Sequence, residues 1–265
     1  MHRDVSSRIA LTVTEPADLA FAIAVSSHHA PASESLTATL DGAPVEVVEL
    51  RDAHGTRVHR MRPGVGEFVV EYSAAIAGTG QEATADDIER LVYTRPSRYA
   101  ESDALAPTAS AEFVGIDDPS QLLTAVSSWV GTRLAYVPGS SLPTDGAART
   151  LLARRGVCRD YAHLCVALLR GLNVPARLVS VYAPGLHPMD FHAVAEAWVD
   201  GGWHVVDATT LAPRSTLVRI ATGRDAADTA FLTISAGRAD LVDMTVSATA
   251  DVLPGDDLDH LVRLR

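Results

Sequence analysis

The hydrophobic period of this 265-residue chain changes near residue 100, and the change demands two kinds of architecture in one polypeptide. Before it, apolar residues alternate with polar ones: Ile9, Leu11 and Val13, then Leu36 and Leu40 in a Thr-rich stretch, then Phe68, Val70 and Tyr72. Period two with Val and Thr predicts half-buried antiparallel strands. Turn residues separate them at His29-Ala30-Pro31, Asp41-Gly42, Asp52-Ala53-His54-Gly55 and Pro63-Gly64, a spacing that suits an antiparallel β-sandwich. Residues 1–100 are expected to form this N-terminal β domain, and residues 101–265 a second domain, in an α+β chain.

The second half changes pattern. Leu122, Leu123, Val126, Trp129 and Val130 recur at helical spacing and predict a helix over 119–134. Thr144 is the expected cap of a helix that runs to Arg155 and stops at Gly156. Residues 158–172 predict another, with Leu164, Cys165, Leu168 and Leu169 on its apolar side. Strands are expected at 176–182, 193–199 and 203–207, the last two joined by the hairpin signal Asp200-Gly201-Gly202.

Charge and composition remove several function classes. Every one of the 22 basic residues is Arg, against 33 acidic residues, for a net charge of −11. That balance argues against nucleic-acid and anionic-membrane partners. Without Lys there is neither a Schiff-base nor a P-loop lysine. No apolar run approaches the ~18 residues of a membrane span. The N-terminal residues lack the continuous apolar core of a secretory signal, so a cytoplasmic location is expected. Cys158 and Cys165 lie in one predicted helix, about 10 Å apart along its axis, too far for an internal disulfide.

Cys158 follows Gly156 at the first turn of its helix, where unpaired N–H groups and the helix dipole favour negative charge on sulfur. A nucleophilic Cys needs a base, and the base an orienting acceptor. His192 and Asp207, on neighbouring predicted strands, supply both residue types. A hairpin centred on 200–202 sets Asp207 opposite residue 195 or 196. The remaining offset from His192 is then about 10–14 Å along a flat strand, so twist, a bulge or a different turn must close it.

Other residues have plainer expected roles. Cys165 is inert core; His163 lies about 140° around the helix from Cys158; Asp160 steadies the first turn or pairs with an Arg. His28-His29 is expected at the surface of a turn. Cys158, His187 and His192 lack the compact spacing of a zinc motif, so a metal-dependent hydrolase is a lesser alternative, and no cofactor is expected. Tyr136 is either a core-edge residue or a second donor to an oxyanion beside the Cys158 N–H.

The segment GVCRDYAHLCVALLRGLNVPARLVSVY, followed by DFHAVAEAWVDGGWHVVDAT, resembles the core of the bacterial transglutaminase-like superfamily, whose members often carry the label of cysteine protease. The order is Gly156 to Ala162, Leu169 to Arg177, His192-Ala193, then Trp203 and Asp207. RPSRYAESD at 95–103 and RIATGRDAADTAFLTISAG at 219–237 extend the resemblance over roughly residues 95–247. It implies a papain-like core in which Cys158, His192 and Asp207 are nucleophile, base and orienting acid. The implied chemistry is acyl transfer on a peptide or protein amide through a Cys158 thioester, ending in hydrolysis or transamidation. A catalytically silent binding or scaffold protein is the alternative from another class. Val194 stands where these proteins often have Trp, a residue expected to line the cleft.

Overall fold

A computed structural model describes all 265 residues. The alternating segments form six strands: β1 (His2–Phe21), β2 (Ser33–Leu40), β3 (Ala43–Pro44), β4 (Val48–Arg51), β5 (Arg57–Met61) and β6 (Gly66–Ala77). On one edge, β1 pairs with β6 over residues 2–13 and with β5 over 19–21, all antiparallel. Ile9, Leu11, Val13, Phe68, Val70 and Tyr72 all enter the core of this sheet, as their alternation requires. Asp41 and Gly42, both at positive φ, make the tight turn from β2 to β3.

Helices α1 (Asp87–Val92), α2 (Ser102–Glu112) and α3 (Pro119–Arg133) cross to the second half. Next come β7 (Ala135–Tyr136), α4 (Ala147–Ala153), β8 (Arg155–Gly156) and α5 (Cys158–Gly171). Thr144 does not cap α4: the helix begins after Gly146, and Arg154 in the left-handed conformation ends it before Gly156 is reached. Strands β9 (Ala176–Tyr182), β10 (Phe191–Val199), β11 (Gly202–Val206) and β12 (Val218–Gly223) make a second antiparallel sheet, ordered β11-β10-β9-β12. Helix α5 packs Leu164 and Leu168 into a shared core with Ala195 and Ala197 of β10.

After a short α6 (Ala226–Thr229), β13 (Leu232–Ala250) returns to the first sheet. It pairs with β1 along nearly its whole length, from Arg3 opposite Ala250 to Phe21 opposite Leu232. Residues 232–250 therefore leave the 101–265 unit that the change of period suggests. The first sheet is a seven-stranded antiparallel array. The physical reason is the second edge of β1, a long row of unpaired peptide groups until β13 covers it. The sheets are joined by buried hydrogen bonds: the Tyr182 hydroxyl donates to the Ile23 carbonyl (2.8 Å), and the Ser26 N–H to the Arg219 carbonyl (2.9 Å). His29 sits in this joint and is buried, contrary to the surface position expected of it; burial holds its imidazole far below its usual pKa, so it stays neutral.

Glu196 of β10 is fully buried between two equally buried arginines. Arg177 donates to it from Nε at 2.9 Å, and Arg219 from Nη2 at 2.6 Å. Arg177 also lies 3.9 Å over the Trp203 ring. Burial opposes the Glu196 charge, but the two guanidinium groups outweigh it and hold the carboxyl down to about 2. The stabilisation this carries is complete above the unfolded glutamate value of about 4.3 and is lost as pH falls through the folded value. Glu196→Gln is expected to cost about 3–5 kcal/mol at pH 7, read by urea unfolding, and to flatten the acid limb of stability. A loss under about 1 kcal/mol would contradict this role.

Candidate active site

The N-terminus of α5 is built to present Cys158. The Val157 N–H donates to the Asp160 carboxylate at 2.8 Å, the reach-back half of a capping box. Arg159 donates to the other oxygen of Asp160 at 3.2 Å, so this Asp both steadies the turn and pairs with an Arg. Gly156 is required by space: a Cβ there would lie 2.6 Å from Asp160 Cβ. Cys158 is partly exposed, whereas Cys165 is wholly buried and its thiol is pushed up by burial.

The distance from His192 to Asp207 is closed by the turn. Asp200 and Gly201 both have positive φ and form a two-residue hairpin loop, with Val199 opposite Gly202. Gly202 thus belongs to the strand. Ala195 lies opposite Val206, so Asp207 continues opposite Val194, two residues from His192 rather than three or four. Diagonal neighbours of this kind lie about 7–8 Å apart at Cα and project to one side. The His192 and Asp207 side chains span that gap, with Nε2 2.9 Å from Oδ2. Both residues are at most 2 % exposed.

Asp207 is itself held. The N–H and hydroxyl of Thr209 donate to Oδ1 at 2.9 and 2.7 Å, and Ser127 of α3 donates to the Asp207 carbonyl at 3.2 Å. Gly131 of α3 lets this loop approach, since a Cβ there would meet the Ala208 carbonyl at 2.7 Å. Burial disfavours the Asp207 charge, but His192 and Thr209 outweigh it and lower the carboxyl's pKa. Burial likewise opposes charge on His192, yet the Asp207 carboxylate and the sulfur of Cys158 raise the imidazole above its ordinary value. His192 Nδ1 is buried and unpartnered, with Cys158 beside the ring.

Tyr136, placed by pairing of β7 with β8 opposite Gly156, is 40 % exposed rather than at a core edge. Burial and the adjoining Cys158 push the pKa of its hydroxyl up. His163 stands away from Cys158: it accepts from the Ala226 N–H at 3.1 Å and stacks on Tyr99. Val194 does not line the cleft as its counterpart was expected to; it is buried with Val179, Val181 and Val205. No three His, Cys, Asp or Glu side chains converge as metal ligands would, Cys158, His187 and His192 included. Thr209 and Ser127 hold Asp207 in place, a contact that sequence reasoning missed. Thr209 had a signal, because an Asp followed two residues later by Thr is a side-chain-to-backbone turn pattern.

Cys158 and His192 open onto a cleft of about 640 Å³. Its far wall comes from the returning β13 and the residues before it, so the first sheet shapes the site.

The profile of the Transglutaminase-like superfamily matches residues 107–208, a span that contains Cys158, His192 and Asp207. A solved structure from Cytophaga hutchinsonii, a putative cysteine protease, is 33 % identical, with a TM-score of 0.90 over 99 % of this chain and 96 % of that one. The chain belongs to the transglutaminase-like superfamily. Among curated relatives of this transglutaminase-like chain, an uncharacterised protein of Mycobacterium leprae is 28 % identical over 149 residues, 52 % of each chain. An uncharacterised protein of Mycobacterium tuberculosis is 27 % identical over 192 residues, 60 % of each. The chain thus spans about half to three-fifths of the length of these relatives.

The electrostatics of this transglutaminase-like site give a direct test. Ring NMR of His192 is expected to show it protonated well above the ordinary histidine value of about 6.5. Asp207→Asn removes a group that raises it and should move the titration down. Titration at the ordinary value in both proteins would contradict the pairing.

Proposed function

We propose that the protein is a cysteine-dependent acyl-transfer enzyme that hydrolyses peptide or isopeptide bonds. The observation that carries this reading is the His192 ring, anchored at Nε2 by Asp207 and unpaired at Nδ1 next to Cys158. Cys158 Sγ, its proton passed to Nδ1, attacks the amide carbonyl and forms the C–S bond. The developing oxyanion accepts from the Cys158 N–H and from the Tyr136 hydroxyl. His192 returns the proton to the leaving nitrogen as the C–N bond breaks, which leaves a thioester. A water then gives a proton to His192 and adds its oxygen to the carbonyl, and Sγ departs. Asp207 stays ionised throughout and holds the imidazole in orientation. Hydrolysis is favoured over transamidation because Cys158 is partly exposed and water is always present. The reading needs a free thiol, which accords with the cytoplasmic location proposed for the chain.

Peptide and glutamine-containing substrates incubated with and without a primary amine test both halves of the proposal. Hydrolysis is expected to exceed amine incorporation, and Cys158→Ala to abolish both. His192→Ala should lower turnover by about 10²–10⁴-fold. Amine incorporation in excess of hydrolysis would overturn the preference for water, and turnover that survives Cys158→Ala would overturn the mechanism.

A further inference from the structure

We propose that the cleft beside Cys158 is an acyl-donor pocket for a bulky apolar side chain, aromatic in size, and that residues of β13 and the segment before it set this preference. The inference rests on the reading of Cys158 as the nucleophile. The cleft volume, about 640 Å³, falls within the range of about 300–1,000 Å³ typical of small-ligand sites. Phe191, Phe231, Leu232 and Met244 line it together with Cys158 and His192. Each is only partly buried: one side packs on the core of the first sheet and the other lines the cleft.

This wall is fixed in place. Phe191 and Phe231 stack with centroids 5.5 Å apart and planes 22° apart. The Phe231 carbonyl accepts from the Ala22 N–H at 3.1 Å, and Met244 is held opposite Ile9 in the β1–β13 ladder. Apart from His192, the charged residues lining the cleft are Arg159 and Asp190. Arg159 is engaged through Nη2 with Ser141, the Leu142 carbonyl and Asp160. Asp190 makes no ion pair; it accepts from the Phe191 N–H at 2.7 Å. An apolar side chain here is removed from water against a matching surface. A carboxylate meets an apolar wall and the Asp190 charge, and the Arg159 guanidinium that borders the cleft is already paired with Asp160.

The full-length protein and three 4-nitrophenyl esters with one leaving group test the pocket: acetate, 3-phenylpropanoate and hemisuccinate. In each, the Sγ–C bond forms, the ester C–O bond breaks, and 4-nitrophenolate departs with the electron pair. Acylation rates are read from nitrophenolate release and divided by the rate of the same ester with glutathione. The phenylpropanoate is expected to exceed the acetate by about ten-fold or more, and the hemisuccinate to fall below it. Phe231→Ser and Met244→Ser, on separate parts of the wall, should each reduce the phenylpropanoate-to-acetate ratio about three-fold or more. A wild-type ratio near unity would overturn the pocket while leaving the nucleophile intact, as would a ratio unchanged in both variants. Absence of any Cys158-dependent release from all three esters would overturn the nucleophile and the pocket together.

Discussion

The Asp200-Gly201 turn fixes where the acidic partner of His192 can be. Its two residues at positive φ place Val199 opposite Gly202, and every later pairing in the hairpin follows. A three-residue loop would slide Asp207 one step further from His192 and turn its side chain to the other side of the sheet. The 2.9 Å bond between the two side chains, the ionised state of Asp207 and the orientation of the imidazole all depend on that register. The surroundings are arranged to keep it: Thr209 grips the carboxylate, Ser127 grips its backbone, and the Arg177–Glu196–Arg219 cluster ties β9, β10 and β12 together beneath.

The second constraint is the return of β13. It seals the exposed edge of β1 and at the same time brings Met244 and Leu232 to the cleft. A domain that otherwise looks like a separate fold therefore contributes a wall to the site. Tyr182 and the Ser26–Arg219 backbone bond leave little freedom between the two sheets.

Local physics made much of this legible in the sequence. Alternation at Ile9, Leu11 and Val13 located β1, helical spacing located α3 and α5, and the run Ala176–Tyr182 gave β9 with its observed ends. Cys158, His192 and Asp207 could be named because their residue types and order matched a family, although counting across the hairpin did not bring them together. That count assigned Gly202 to the turn; the preference of Asp-Gly for two-residue turns with positive φ held the correction. The partnership of β1 with β13 was not legible, since residues more than two hundred positions apart leave no periodic trace. Nor were the duties of the arginines in the Leu169–Arg177 stretch. Arg170 clamps the end of α5 to the carbonyls of Ala176, Arg95 and Arg224, and Arg177 neutralises a buried Glu, roles that only tertiary contact defines. Tyr136 was ambiguous for the same reason: its place beside Cys158 comes from a two-residue parallel pairing with β8.

The central claim is that Cys158 is an activated nucleophile because His192 is held against it. The most direct measurement is the rate of iodoacetamide alkylation of each cysteine at neutral pH, followed by peptide mass spectrometry, in the wild type and in His192→Ala. Cys158 is expected to react far faster than the buried Cys165, and to lose about ten-fold or more of that rate when the imidazole is removed. An equal Cys158 rate in the two folded proteins would contradict the account, as would a Cys158 no more reactive than Cys165.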